Sequence, residues 1–182
     1  MTNCVDEGYR RQYFDFISSD LSTFTDELLG LMDEAGSKAR YFFVGNGASA
    51  AIASHLANDF SKALGLRAST FHDPALVTCF GNDYGYANWV AEAVKLYAEA
   101  GDVVVLISSS GRSPNILNAA AVAKDKGVHI VSLTGPRPDA GLVEASKVSL
   151  QVKSDLYNII ECCHMMALCA VVDSRHAVAL SS

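Results

Sequence analysis

Apolar positions along this chain alternate between a helical and a strand rhythm, and their order predicts the architecture. The first segment spaces Phe14, Ile17, Leu21, Phe24, Leu28 and Met32 three or four residues apart, an apolar stripe on one side of a helix over about 10–35. Gly36 stops it. The apolar run 41–44 breaks into Gly45-Asn46-Gly47-Ala48-Ser49, followed by an alanine-rich helical stretch over 50–64 closed by Gly65. A second strand fits 67–71, and 72–86 reads as a polar, glycine-containing loop before a helix over 87–98. The β-branched run 103–107 suits a strand covered on both faces, and the helix over 114–126 opens on proline, where a missing N–H costs least. Two more strands fit 129–133 and 147–152, with a turn-rich connection over 134–141 and a short helical segment between them. A last helix runs from about 156 to 172. Strands separated by helices of this length predict an α/β three-layer sandwich with a mostly parallel five-stranded sheet and right-handed crossovers.

Composition narrows the functional classes. A length of 182 residues predicts one domain over 1–182, folding to bury roughly 70% of its extended-chain surface. Apolar residues are 50% and charged residues 19%, far from the composition of disordered chains. With 14 Lys+Arg against 20 Asp+Glu the net charge is -6, and no cationic track suits a nucleic-acid backbone. The longest apolar run, 165–172, is well short of the ~20 residues that span a bilayer, and no basic segment leads into an apolar signal core. No membrane and no nucleic-acid partner are expected, and the cytoplasm is the expected location. Cys4, Cys79, Cys162, Cys163 and Cys169 lack the spacing of a disulfide scaffold, which fits a reducing compartment.

The sharpest local chemistry is Ser108-Ser109-Ser110-Gly111-Arg112-Ser113-Pro114-Asn115, placed between a strand and a helix. Hydroxyls beside helix-start amides offer donors to a phosphate and sit at the positive end of the helix dipole. A serine-rich turn with an ordinary N-cap has the same composition, and Arg112 can hold the anion or point into water. The loop lacks the lysine followed by serine or threonine of a P-loop, and the Gly45-Asn46-Gly47 turn lacks the third glycine of a dinucleotide fingerprint. A small phosphorylated molecule needs only Ser49 and the loop from Ser108 to Ser113, both at carboxyl ends of strands.

Two helices carry polar pairs. His55 and Asp59 are four apart and share a face; Glu161 and His164 are three apart on the last helix, with Cys169 beyond. Such pairs suit metal binding or acid–base work, but any long helix brings some together, and His164 among Cys163, Met165 and Met166 equally suits a hydrogen-bonded core position. An aldose–ketose isomerisation needs a base to move a proton between adjacent carbons and an acid or electrophile at the carbonyl. Asp59 or Glu161 can take the proton, and His55, His164 or a divalent ion can stabilise the enediol oxygen. Asp83, in Gly81-Asn82-Asp83-Tyr84-Gly85, can orient sugar hydroxyls or cap a turn.

The Gly45–Ser49 turn, the Gly81–Tyr86 segment, the serine loop and Leu133-Thr134-Gly135 together resemble the sugar isomerase (SIS) domain, and within it the phosphoheptose isomerase branch. The resemblance spans nearly the whole chain. It implies a flavodoxin-like sheet and a homotetramer with sites at subunit interfaces, the helix at about 10–35 serving assembly. It puts a sugar phosphate on Ser108, Ser109, Ser110 and Ser113, with Asn46 and Ser49 nearby and Asp83 facing the sugar. That branch carries a histidine and a glutamate four apart, then a glutamine and a histidine eight apart, as a zinc-associated site. This chain has His55, Asp59, Glu161 and Cys169 there, a set that implies zinc with a cysteine thiolate and a shorter carboxylate. The implied activity is interconversion, by proton transfer, of sedoheptulose 7-phosphate and D-glycero-D-manno-heptose 7-phosphate or a related aldose–ketose phosphate pair, feeding surface-polysaccharide or lipopolysaccharide precursors. The alternative is a non-catalytic phosphosugar-binding or protein-interaction member of the replication-initiator-associating type.

Overall fold

The computed structural model describes residues 7–19 and 21–181, with side chains through 177. Cys4 lies outside the described residues. Helices α1 (Glu7–Ser18) and α2 (Ser22–Ala35) precede β1 (Arg40–Gly45). After them come α3 (Ala48–Leu64), β2 (Arg67–Thr70), α4 (Pro74–Tyr84), α5 (Trp89–Tyr97) and β3 (Val103–Ser108). The chain ends with α6 (Pro114–Asp125), β4 (His129–Thr134), α7 (Ala140–Ala145), β5 (Val148–Gln151) and α8 (Tyr157–Ser181).

The five strands are parallel in the order β2-β1-β3-β4-β5, the flavodoxin-like arrangement. Alternate residues of the central strands feed two cores. Tyr41, Phe43, Val103, Val105, Ile107, Val131 and Leu133 pack with α2, α3 and α8. Phe42, Val44, Val104, Leu106 and Ile130 pack with α5, α6 and α7. A strand covered on both faces needs apolar side chains in both directions, which is why 103–107 is continuously hydrophobic. The winding direction reverses between β1 and β3, leaving a crevice outside their carboxyl ends where ligands bind in this class of sheet.

Two sequence expectations are corrected. The single helix over about 10–35 is two helices. Ser19 Oγ donates to the Phe16 carbonyl at 2.6 Å, a local bond that competes with helix continuation. Phe14 and Ile17 are exposed while Phe24, Leu28 and Met32 are buried, so one stripe serves two environments. The expected loop over 72–86 contains α4, whose start is fixed by Pro74 and by Asp73, which accepts from the amides of Ala75 at 2.9 Å and Leu76 at 3.1 Å. In the apolar run 165–172, Ala167, Leu168, Val171 and Val172 enter the core beneath α2 and α3. Cys162 is exposed and Cys163 buried on opposite sides of α8. Among the described residues no helix is long and apolar enough to cross a membrane.

At the amino end of the sheet, Arg40 Nη2 lies 2.8 Å from Asp102 Oδ2, and the Arg40 and Glu99 amides donate to the same carboxylate at 2.9 and 2.8 Å. Burial alone would raise the Asp102 pKa, but the Arg40 side chain and these amides outweigh it and hold the group below the usual carboxylate range. Asp102→Ala strands the Arg40 charge and two amides, and a loss of about 3 kcal/mol is expected in urea denaturation at pH 7. The carboxylate's contribution is present above its unfolded pKa and falls away as the pH drops through the depressed folded one.

Candidate functional site

The crevice is built first by the turn after β1. A Cβ on Gly45 would lie 2.6 Å from the Ser49 carbonyl carbon, so only glycine lets α3 start this close to the strand. Ser49 is thereby buried in the first turn of α3. His72 braces the same turn from the end of β2, with Nε2 3.0 Å from the Gly45 carbonyl oxygen. Burial lowers its pKa, which favours the neutral ring. Asn46 and Asn115 exchange side-chain amide bonds at 3.0 and 2.9 Å, tying this turn to α6, and the Tyr86 hydroxyl donates to Asn46 Oδ1 at 3.0 Å.

The serine loop after β3 is equally constrained. The Gly111 amide donates to the Ser108 carbonyl at 2.9 Å and lies 3.2 Å from Ser108 Oγ, which in turn lies 3.4 Å from Ser113 Oγ. The Arg112 amide donates to Ser110 Oγ at 3.2 Å. From the other side, the Gly135 amide donates to the Ser109 carbonyl and the Asp139 amide to that of Gly111, each at 3.0 Å. Ser113 occupies the N-cap of α6 without a side-chain capping bond, and Pro114 follows at the helix start. Helices α3 and α6 thus begin side by side at neighbouring strand ends, and their positive ends face one crevice.

Helix α8 closes the crevice. Ser109 Oγ donates to Glu161 Oε1 at 3.4 Å, and Tyr157 lies one turn earlier. The result is a cavity of about 170 Å³ lined by Asn46, Ser49, Ser108, Ser109, Ser110, Ser113, Tyr157 and Glu161, with Ile107 at its base. Its side-chain donors are hydroxyls and one amide, and among the described residues no cationic side chain lines it. Tyr157 was not singled out by sequence reasoning, although its place four residues before Glu161 puts it on the same helical face.

The other sequence candidates lie elsewhere. His55 Nε2 and Asp59 Oδ2 are 3.2 Å apart on α3, about two turns beyond Ser49 and outside the cavity lining. Asp83 is in the last turn of α4 and not in a loop; its carboxylate accepts from Asn82 Nδ2 at 2.9 Å and from Cys79 Sγ at 3.6 Å. His164 is fully buried, with Nε2 3.0 Å from the Thr134 carbonyl oxygen. The expected zinc site is overturned: among the described residues no three His, Cys, Asp or Glu side chains come together to hold a metal ion. Glu161 faces the serine loop, whereas Cys169 lies eight residues or about 12 Å further along the helix, against the core. Burial, with the negative charges of Asp59 and Asp173, pushes the Cys169 thiol up, the opposite of what a thiolate ligand requires.

His164 gives a pH prediction. Burial depresses its pKa to about 4, partly opposed by the bond to Thr134. The unfolded chain therefore takes up this proton first as the pH falls, and about 3 kcal/mol of stability present above pH ~6.5 is lost by pH ~4. The Thr134 carbonyl keeps the Val152 amide at 2.9 Å when the imidazole is removed. Urea denaturation of His164→Leu across that window is expected to give a visibly flatter pH dependence than the parent chain.

The SIS domain model matches residues 12–135. A phosphoheptose isomerase of Solidesulfovibrio magneticus is 38% identical over 143 residues, 74% of this chain and 69% of that protein. The structure of phosphoheptose isomerase from Neisseria gonorrhoeae superposes with a TM-score of 0.83 at 28% identity, covering 92% of each chain. That of a phosphoheptose isomerase from Francisella tularensis gives 0.79 at 26% identity, over 92% of this chain and 91% of the other.

Proposed function

The chain belongs to the SIS domain family, and from that membership and the crevice at the strand ends we propose that it is a phosphosugar isomerase interconverting sedoheptulose 7-phosphate and a heptose 7-phosphate. Its similarity to phosphoheptose isomerases supports the reaction class. The observation that carries the reading is the cavity itself, which sets five serine hydroxyls at the starts of two helices beneath one carboxylate.

Ser49, Ser108, Ser109, Ser110 and Ser113 hold the phosphate through hydroxyl donors and the positive helix ends, so an acidic chain needs no arginine inside the cavity. Asn46, oriented by Asn115 and Tyr86, bonds a sugar hydroxyl. Glu161 takes the proton from the carbon beside the carbonyl. The C–H electron pair becomes the enediol double bond as the carbonyl oxygen gains a proton; Glu161 then returns its proton to the former carbonyl carbon while the adjacent hydroxyl gives up its own proton and becomes the new carbonyl of the isomeric sugar. His55 and Asp59, outside the cavity of their own chain, serve a neighbouring subunit's site in a homotetramer, with His55 as proton donor to the carbonyl oxygen. Asp83 meets the sugar at the same interface. His164 stays with the core.

Incubation with sedoheptulose 7-phosphate in deuterated water tests this. The expected result is an aldoheptose phosphate carrying solvent deuterium at the carbon beside the carbonyl. Failure of a folded sample that binds phosphosugar to form any product would contradict the reading.

A further inference from the structure

A second groove of about 280 Å³ lies on the opposite flank of the serine loop, and Ser109, Ser110 and Tyr157 line both spaces. The serine loop and Tyr157 are thus a wall shared by two adjacent spaces. The two differ in charge. The first contains Glu161 and no cation, whereas the second is lined by Arg112 and Arg137, with Asp155 as its acidic side chain. In a chain of net charge -6, this local excess of positive charge stands out from its surroundings.

The two arginines are differently disposed. Among the described residues the Arg112 guanidinium has no hydrogen-bond or ion-pair partner, while its backbone is fixed by the bond to Ser110 Oγ and by Gly111, whose positive φ of 62° turns the chain against Pro138. It is a free charge on a rigid root. Arg137 is held across the groove by Asp155, and both members of that pair are largely exposed, so the pair itself is weak and an arriving anion can compete for the arginine.

We propose that this groove is a second anion subsite, in which Arg112 and Arg137 receive the second anionic group of a sugar phosphate whose first phosphate occupies the serine cavity. The ligand class is a sugar carrying two anionic groups, a bisphosphate or a phosphate with a carboxylate, either as an alternative substrate or as an inhibitor that spans the loop. The proposal rests on the reading of the first cavity as a phosphosugar site, but not on turnover.

Calorimetric titration at low salt with fructose 6-phosphate, fructose 1,6-bisphosphate and 6-phosphogluconate separates the possibilities. At least one of the two probes with two anionic groups is expected to bind about tenfold more tightly than the monophosphate. That advantage should disappear in the Arg112→Ala, Arg137→Ala double variant and partly return with Arg112→Lys, while monophosphate affinity stays within about twofold. Gain for the bisphosphate alone assigns the subsite to phosphate; gain for phosphogluconate as well extends it to carboxylates. Equal affinity for all three probes, or an advantage that survives loss of both arginines, overturns the proposal. Failure of the monophosphate itself to bind would instead overturn the reading of the first cavity.

Discussion

Glu161→Gln is expected to lower kcat for sedoheptulose 7-phosphate by about 10²–10⁴-fold, the range for loss of a positioned general base. Glutamine keeps the length of the side chain and an acceptor for Ser109 Oγ, which lies 3.4 Å from the carboxylate, but it cannot take a proton. Binding should therefore survive: KM is expected to change by only a few-fold, and the folded stability very little, because Glu161 is only partly buried. Steady-state kinetics separates this from a structural role, in which binding and turnover would fall together with stability. Asp59→Asn, acting from the His55 pair on α3, should show the smaller effect if its task is to hold His55.

Gly111→Ala is the most damaging single change expected outside the acid–base chemistry. At φ 62° an alanine pays about 1–2 kcal/mol for the left-handed region alone. Its Cβ would also lie 2.5 Å from Pro138 Cβ and 2.7 Å from Pro138 Cα, atoms of a stiff ring and of backbone that cannot swing aside. The loop must move, breaking the bonds from Gly111 to Ser108 and from Asp139 to Gly111 that set the serine hydroxyls. A total loss of about 3 kcal/mol or more and at least a tenfold loss of phosphosugar affinity are expected by denaturation and calorimetry. Gly65→Ala separates the two causes. Gly65 has φ 66° but open space around it, so only the backbone cost of about 1–2 kcal/mol should appear, with binding unchanged.

The sheet could be read from the chain because its residues satisfy local and global demands together. The run 103–107 is apolar on both faces, and its strand ends in hydroxyls followed by a proline-started helix, so strand, loop and helix announce one another. The same consistency made the serine loop the best local sign of a phosphate site. What failed were features decided by competition. Asp73-Pro74 is a helix-start signal, but Gly81-Asn82-Asp83 downstream carries turn chemistry, and packing of Leu76, Val77 and Phe80 against the core made that stretch helical. The break near Ser19 depends on one hydroxyl bonding backward to Phe16.

The acid–base residues show a different kind of limit. Spacing puts His55 with Asp59 and Glu161 near His164, but it does not say which way each helix is turned. The structure rotates Glu161 and Tyr157 toward the serine loop and His164 onto Thr134, and it leaves Cys169 beside the core with its proton held. The metal set implied by four matched positions dissolves because, among the described residues, His55 and Asp59 pair with each other while no third His, Cys, Asp or Glu side chain joins them to hold an ion.

The most direct test is NMR observation of sedoheptulose 7-phosphate incubated with the full chain, run beside Glu161→Gln at matched phosphosugar occupancy. The account predicts steady formation of an aldoheptose 7-phosphate by the parent chain and slowing of at least about a hundredfold in the variant. An unchanged ketose signal with saturated parent protein, or equal rates for both proteins, would contradict it.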